Sequence, residues 1–513
     1  MTAPSDETPV ATRALDQPPA RPDLEVGVEV RRIRKYLRHY SARSVVALAL
    51  DELWTDRGSK MENLRSAPWI TLLLVKWALQ DRTISMKVGQ RMPAAVFDAL
   101  RQQLWELPAW RGRPDRPLRL AAMIRPMLQQ QLEYQRAHGW GFLRWPALIA
   151  RLPVGARLAQ HFRETLGMDP DTYIDLSFAL YASVVNGEQS IPSHYLYPLR
   201  QNYGGAVDRL LELFVRDLPA LRDELQKPEA QQVRGRAELY EFAYLRRFPF
   251  VRLKSGVITC WHPMVLARGL EDAVHLRLSD RGEQYTRPFS RLFEAYATEL
   301  AVEAAPQVVT EVEYEGAMGS EAPKVEAVIQ EDGCNVLVEA KMALFADPVL
   351  VTDDADTMYR KTKRVYEAVH QGWKVTRALG QSTNPFHRAG VVNYLLVVTS
   401  RQLHLGHGGN LTNLYPTDKL DYPDENAAAR LPLNNVFILS IEEFERTMGA
   451  VQAGDVKLPD LLRKAARDNG DPVEGRMYFS HYLEQHVKRY QTPVLIADAV
   501  ERSKERLAAM KDA

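Results

Sequence analysis

The sequence predicts a multidomain protein: a mostly α-helical N-terminal region, an α/β domain with a mixed central sheet, and a helical C-terminal extension. Three observations predict it. The 513 residues exceed what one hydrophobic core organises and point to about two to four domains. Apolar residues recur at helical spacing up to about residue 250. From residue 285 the runs alternate in the order α-β-β-β-α-β-β-α, which argues a mixed sheet with helices packed on it. The expected divisions are 1–26 as a disordered tail, 27–280 as the helical region, 281–450 as the α/β domain and 451–513 as the extension.

Composition narrows the class. Hydrophobic residues make 46% and charged residues 26%, with a formal net charge of +1. No global basic excess announces nucleic acid, so such binding would have to come from local patches. Two cysteines, Cys260 and Cys334, cannot make a disulfide framework or a Cys-rich zinc site, and a reducing, cytoplasmic home fits. The first 25 residues lack the apolar stretch of a signal peptide and are rich in Pro, Ala, Thr and Asp. The longest apolar run, 67–79, is interrupted by Lys76 and is too short to span a bilayer. No membrane partner is expected.

The elements follow in order. "SARSVVALALDELW" (41–54) opens on a Ser cap. Helical periodicity continues through 93–107, 118–137, 171–187 and 206–225, with Pro and Gly between the runs. Two β-rich runs around "KSG" (249–261) predict a hairpin. A helix covers about 263–278. Then come the helix "RPFSRLFEAYATELAVEAA", the strand "QVVTEVEYEG", the hairpin "KVEAVIQEDGCNVLVEAKM" and a long helix over about 354–379. "AGVVNYLLVVTS" (389–400) reads as a buried strand, and 434–448 as a strand running into a helix capped by Ser440. Helices near 456–468 and 476–510 close the chain.

The second hairpin carries the chemistry. Asp332-Gly333 between two β-rich runs is a two-residue turn signal. That turn pairs Glu331 with Cys334, and counting back sets Glu326 opposite Glu339. Directly opposed Cβ atoms lie roughly 4.5–5.5 Å apart, where two carboxylates repel unless a positive charge sits between them. A divalent cation is the natural candidate. Lys341 shares the face of Glu339, since residues two apart on a strand point the same way. Lys324 falls opposite Lys341. A solvated strand face is the competing reading of Glu339 and Lys341.

Glu326, a turn, and then Glu339-Ala340-Lys341 resembles the core motif of the PD-(D/E)xK nuclease superfamily, an acid on one strand and acid-any-Lys on the next. "RLFEAYATEL" resembles the helix before that core, with Glu294 at the position of a further acid. "YRKTKRVYEAVHQGW" resembles the basic helix after it. The resemblance covers about 285–445 and leaves 1–280 without account. It implies a restriction-endonuclease-like fold and a metal-dependent nuclease using Mg²⁺ or Mn²⁺. Glu326, Glu339, the Ala340 carbonyl and Glu294 are implied as metal ligands. Lys341 is implied to orient the attacking water or to stabilise the phosphate. Arg360, Lys361, Lys363, Arg364 and Gln371 are implied to meet nucleic acid, with DNA favoured. Restriction or anti-phage defence is where such cores often occur.

Glu326 departs from the pattern, which usually has Asp there. Its extra methylene shifts the carboxylate by about one bond, and Mg²⁺ accepts distorted geometry badly. The alternative is therefore a catalytically inactive nuclease-like subunit that binds or assembles a nucleic-acid-processing complex. For Glu294 an ordinary helix acid competes, and Glu299 and Glu303 lie on the same helix. Glu311, Glu313 and Glu315 alternate along the expected strand as solvated acids. The cluster Arg31, Arg32, Arg34, Lys35 and Arg38 reads as a solvated helix face. His404 and His407 belong to a Gly-rich loop rather than a metal site. No phosphate-binding Gly-Lys-Ser/Thr loop or Gly-x-Ser-x-Gly elbow is present in the sequence. Protein partners and self-association stay open.

Overall fold

The computed structural model describes residues 22–58, 67–107, 120–135, 140–233, 235–343, 347–352, 354–415, 419–471, 474–487 and 490–510. The chain is mostly helical and carries two mixed sheets. Among the described residues no helix is long and apolar enough to cross a membrane. The expected tail ends earlier than residue 26. A helix runs Pro22–Leu37, because Pro pre-sets the helical φ and lacks only an N–H that the first turn leaves unpaired. The rest of the tail, 1–21, lies outside the described residues.

The first sheet belongs to the helical region and has the order β1-β4-β3-β2. Its strands are β1 (Ser190–Pro192), β2 (Val215–Asp217), β3 (Phe250–Lys254) and β4 (Val257–Cys260). β3 and β4 are the expected hairpin. β2 corrects the continuous helix expected over 206–225. Helix Gly205–Phe214 ends, Val215 pairs with Phe250, and Asp217 caps a new helix by accepting from the Ala220 N–H.

The second sheet runs β5 (Val308–Thr310), β6 (Ala327–Glu331), β7 (Cys334–Lys341), β8 (Val392–Thr399) and β9 (Val436–Ser440), each beside the next. β5, β6 and β7 pair antiparallel, and β7, β8 and β9 pair parallel. Asp332 and Gly333 both take positive φ, 32° and 74°, as a tight hairpin turn requires. The register follows: Glu331 faces Cys334, and Ala327 faces Val338.

Three further expectations, one strand and two helices, are corrected. Residues 311–318 form a helix, Glu311–Met318, not strand. Thr310 and Glu313 close a capping box at its start, and two reciprocal hydrogen bonds outweigh the alternation of Val312 and Tyr314. The long helix over 354–379 breaks at Thr362, between Ala355–Lys361 and Lys363–Leu379. The Thr362 hydroxyl donates to the Met358 carbonyl at 2.6 Å, a back-bond that bends helices. The last expected helix is split into Ser480–Leu483 and Val494–Ala509, with Pro493 at the entry to the second.

Both sheet faces are covered. Val336, Val338, Ala340 and Met342 share one core with Phe293, Tyr296, Ala297 and Leu300 of helix Glu283–Ala304. That core continues into the helical region through Phe142, Leu148, Phe162 and Phe214, across the boundary expected near 280. Val328, Leu337, Leu395 and Val397 pack on the other face against Val365, Val369 and Trp373. Buried charges sit along the seam between the regions. Arg144 forms a two-pronged pair with Glu445 at 2.6 and 2.7 Å and meets Glu271 at 3.0 Å. Within the helical region Lys76, also buried, meets Glu241 at 2.6 Å and Glu238 at 3.0 Å. Burial pushes the Glu241 carboxyl up to about 7 against the pull of Lys76.

Gly269, in helix Pro263–Leu278, lies against the backbone of Arg246: a Cβ there would sit 2.3 Å from the Arg246 carbonyl oxygen. Gly269→Ala should force the two segments apart and cost about 1–3 kcal/mol, the range for overpacking a close contact. Chemical denaturation beside Ala273→Gly on the same helix checks it. A Gly269→Ala protein as stable as wild type would contradict the close approach.

Candidate active site

The hairpin brings its two acids together. The β6–β7 ladder ends at Ala327–Val338, and the next residue back is Glu326. Its carboxylate reaches across and accepts the Ala340 N–H at 2.8 Å, so a side chain continues what the ladder leaves off. Glu339 is 4% exposed and Glu326 8%. The Lys341 ammonium pairs with the Glu339 carboxylate. Its side chain is a quarter exposed, so the charge opens toward solvent while the acids stay inside.

Electrostatics follow from this burial. Desolvation, and then the neighbouring Glu339 charge, hold the Glu326 carboxyl well above the carboxylate range. Desolvation also raises Glu339, and Lys341 opposes the rise. Both acids are thus raised, Glu326 the further, and the buried pair favours holding a proton. Burial would lower the Lys341 ammonium, but Glu339 and Glu326 overcome it and the group is raised. Lys341 is therefore a cation at neutral pH.

Glu294 stands near enough to act on both Glu339 and Lys341. It is half-buried, and Ser290 donates to its Oε1 at 2.8 Å. Glu299 points elsewhere, to Arg151 at 2.9 Å. Thr286, Ser290, Glu294 and Thr298 recur every four residues and so share one stripe of their helix. That spacing of four is itself a sequence signal that Ser290 stands beside Glu294.

The expected placement of Lys324 opposite Lys341 does not bring the two ammonium groups together. Lys324 turns away from Lys341 to pair with Glu311 at 3.2 Å and with Glu315, because the helix Glu311–Met318 presents both acids to it. Gln371 donates to the Lys324 carbonyl at 2.8 Å, which commits its amide to holding the segment before Glu326. Arg360, Lys361, Lys363 and Arg364 are exposed. They line a groove of about 390 Å³ with Thr286, Met342 and Glu367. Met342 follows Lys341, and Arg364 donates to the Met342 carbonyl at 3.4 Å.

Two carboxylates, one ammonium and a neighbouring acid are what metal-assisted phosphoryl chemistry uses. Mg²⁺ is commonly held by one or two carboxylates with waters and substrate oxygens, so Glu326 and Glu339 fit such an ion as a pair. Among the described residues no cluster of three or more His, Cys, Asp or Glu side chains is placed to hold a metal, so Glu294 stands outside the immediate pair. His404 and His407 are buried apart from it. The His404 ring meets the Gln129 side chain at 2.6 Å, and burial holds His407 neutral, down to about 4. Comparison with known proteins gave no counterpart: no family model, curated protein or solved structure matches this chain.

The raised acids fix the sign of a pH dependence. An unfolded glutamate titrates near 4.5, and the folded pair holds its proton above that. Between those two values the folded state binds more protons than the unfolded one, so stability falls as pH rises. Glu326→Gln keeps an oxygen for the Ala340 N–H and an N–H for Glu339 without the charge. In metal-free buffer it should raise Tm at pH 8 and flatten the decline from pH 5 to 8. A decline as steep as wild type would show that Glu326 does not carry the proton.

Proposed function

We propose that this chain is a metal-dependent nuclease that hydrolyses phosphodiester bonds of nucleic acid, DNA in the first instance, through a PD-(D/E)xK-like centre. The observation that carries the reading is the meeting of Glu326 and Glu339 in a buried site with Lys341 beside them. Two buried carboxylates in contact are costly, and such pairs concentrate at functional sites. The restriction-endonuclease-like arrangement of the second sheet is part of the same proposal.

Glu326 and Glu339 would hold a Mg²⁺ or Mn²⁺ ion, and the Ala340 carbonyl and Glu294 would serve as further or water-bridged ligands. Such an ion supplies Lewis acidity and lowers the pKa of a bound water. Lys341, charged and a quarter exposed, donates hydrogen bonds to the attacking water or to the phosphate oxygens as negative charge builds. Ser290 holds Glu294 in place. Arg360, Lys361, Lys363 and Arg364 draw backbone phosphates into the groove beside Met342. Gln371 acts through the Lys324 backbone, keeping Glu326 at the strand end. A role in restriction or anti-phage defence is the biological setting this chemistry suits.

A second reading has its own support. Lys341 is paired with Glu339, and no third acid completes the cluster among the described residues. A nuclease-like subunit that binds or assembles on nucleic acid without cutting it fits those facts too.

Plasmid, linear and single-stranded DNA and RNA, each incubated with Mg²⁺, Mn²⁺ or EDTA, separate the readings. The nuclease reading expects metal-dependent cutting, reduced at least about 10²-fold in Lys341→Ala, the scale of losing one charge-stabilising donor. Undiminished cutting by that variant would remove Lys341 from the chemistry. Binding without cutting, with no heat of Mg²⁺ binding by calorimetry, would select the assembly subunit. Replacing Arg360 and Lys361 together by Ala should weaken binding to all sequences alike. The slope of log affinity against log salt should fall by about 1–2, one phosphate contact per cation. An unchanged slope would place the nucleic acid elsewhere.

A further inference from the structure

The segment that leaves the candidate centre is gripped from several sides. Met342 accepts from Arg364 at 3.4 Å. The Ala343 N–H donates to the Ser400 hydroxyl at 2.9 Å, at the end of β8. Asp347 lies six residues beyond Lys341 and opens helix Asp347–Val351. Both its carboxylate oxygens accept from Arg246, at 2.6 and 2.7 Å, and Arg401 adds a contact at 3.3 Å. At the far end of that short helix Arg125 donates to the Val349 and Thr352 carbonyls, at 2.7 and 3.3 Å, and to Leu403 at 2.9 Å.

Arg246 and Arg125 come from the helical region, outside the part of the chain the nuclease resemblance covers. Neither is an ordinary surface cation. Arg246 is 1% exposed, and Arg125 is fully buried and donates to three backbone carbonyls, with no carboxylate partner among the described residues. Burying a guanidinium is expensive unless every donor is used. Arg246 uses Nη2 on both Asp347 oxygens, its Nε on Asp272 at 2.8 Å and its Nη1 on the Phe242 carbonyl at 3.4 Å, and Gly269 makes room for its backbone. Arg125 uses three carbonyls, two of them from the end of helix Asp347–Val351, where peptide dipoles favour a cation.

We propose that Arg246, acting through Asp347 together with Arg401, is a positioning residue that sets the strand end carrying Glu339, Ala340 and Lys341. The helical region is then a structural part of the centre, and its docking decides where the Lys341 ammonium stands relative to the two acids. The effect on cleavage rests on the nuclease reading; the effect on the strand does not. A lysine at 246 would keep the charge, but its one nitrogen could not hold Asp347, Asp272 and the Phe242 carbonyl at once as the three guanidinium nitrogens do.

Amide hydrogen exchange on the full chain tests it, with wild type beside Asp347→Asn and Arg246→Lys. Exchange at Ala340–Ala343 should accelerate at least ten-fold in both variants, while helix Val494–Ala509 keeps its wild-type protection. Unchanged exchange at Ala340–Ala343 overturns the proposal. So does acceleration spread evenly over the chain, which marks general destabilisation. Should Asp347→Asn fail to fold, Arg246→Lys decides alone. In the cleavage assay Asp347→Asn should lower kcat about ten-fold at unchanged KM, and an unchanged kcat also overturns it. A wild type that cuts nothing with any metal would sink the nuclease reading and leave the exchange result to decide the positioning role.

Discussion

The register of one hairpin governs the site. Asp332 and Gly333 adopt left-handed backbone at the turn, and that turn sets Ala327 against Val338. Because side chains alternate, a slip of one residue would send Glu339 and Lys341 into the core that holds Val338 and Ala340. It would also take Glu326 away from the Ala340 N–H. The apolar residues on both faces of β7 prevent this, since each face has its own matched partners. The geometry of two carboxylates is thus held by the packing of Val, Leu and Ala around them.

That arrangement opposes stability locally. Two acids at 8% and 4% exposure lose hydration and repel each other. A backbone N–H, a shared proton and the Lys341 ammonium offset part of the cost. A core built only for stability would place apolar side chains here, as neighbouring Val338 and Leu337 show it can. The seam follows the same logic on a larger scale. Arg144 and Arg246 are buried charges of the helical region whose partners Glu445 and Asp347 come from across the seam. Each pair admits one docking arrangement, because a displaced arginine would be left buried and unpaired.

The acid pair, the Lys beside it and the upstream Glu294 were legible from local rules: alternation along a strand, a two-residue turn and helical spacing. Helix Pro263–Leu278, β8 and the Ser440 cap were legible for the same reason. The failures came where one side-chain hydrogen bond overrules a periodic pattern. Thr310 and Glu313 turned an apparent strand into a helix, and Thr362 broke a long one. Arg125, Arg246, Ser400 and Asp347 carried no local signal. They act across 54 to 278 positions of sequence, and only the folded chain brings them to one place.

Glu326 itself makes physical sense at the end of the ladder. β6 begins one residue later, so position 326 stands where the two strands part. The Ala340 N–H still points into the gap and needs an acceptor, since a buried donor left unpaired is costly. A glutamate reaches it at 2.8 Å; an aspartate, shorter by about one bond, would have to draw the strands together to do the same. The residue that departs from the family pattern is the one whose length fits this gap. Its carboxylate carries two tasks, closing the ladder through Oε2 and facing Glu339. The geometry of the pair is therefore tied to the backbone of the triplet it serves, and a disturbance of the Ala340 amide reaches both acids at once.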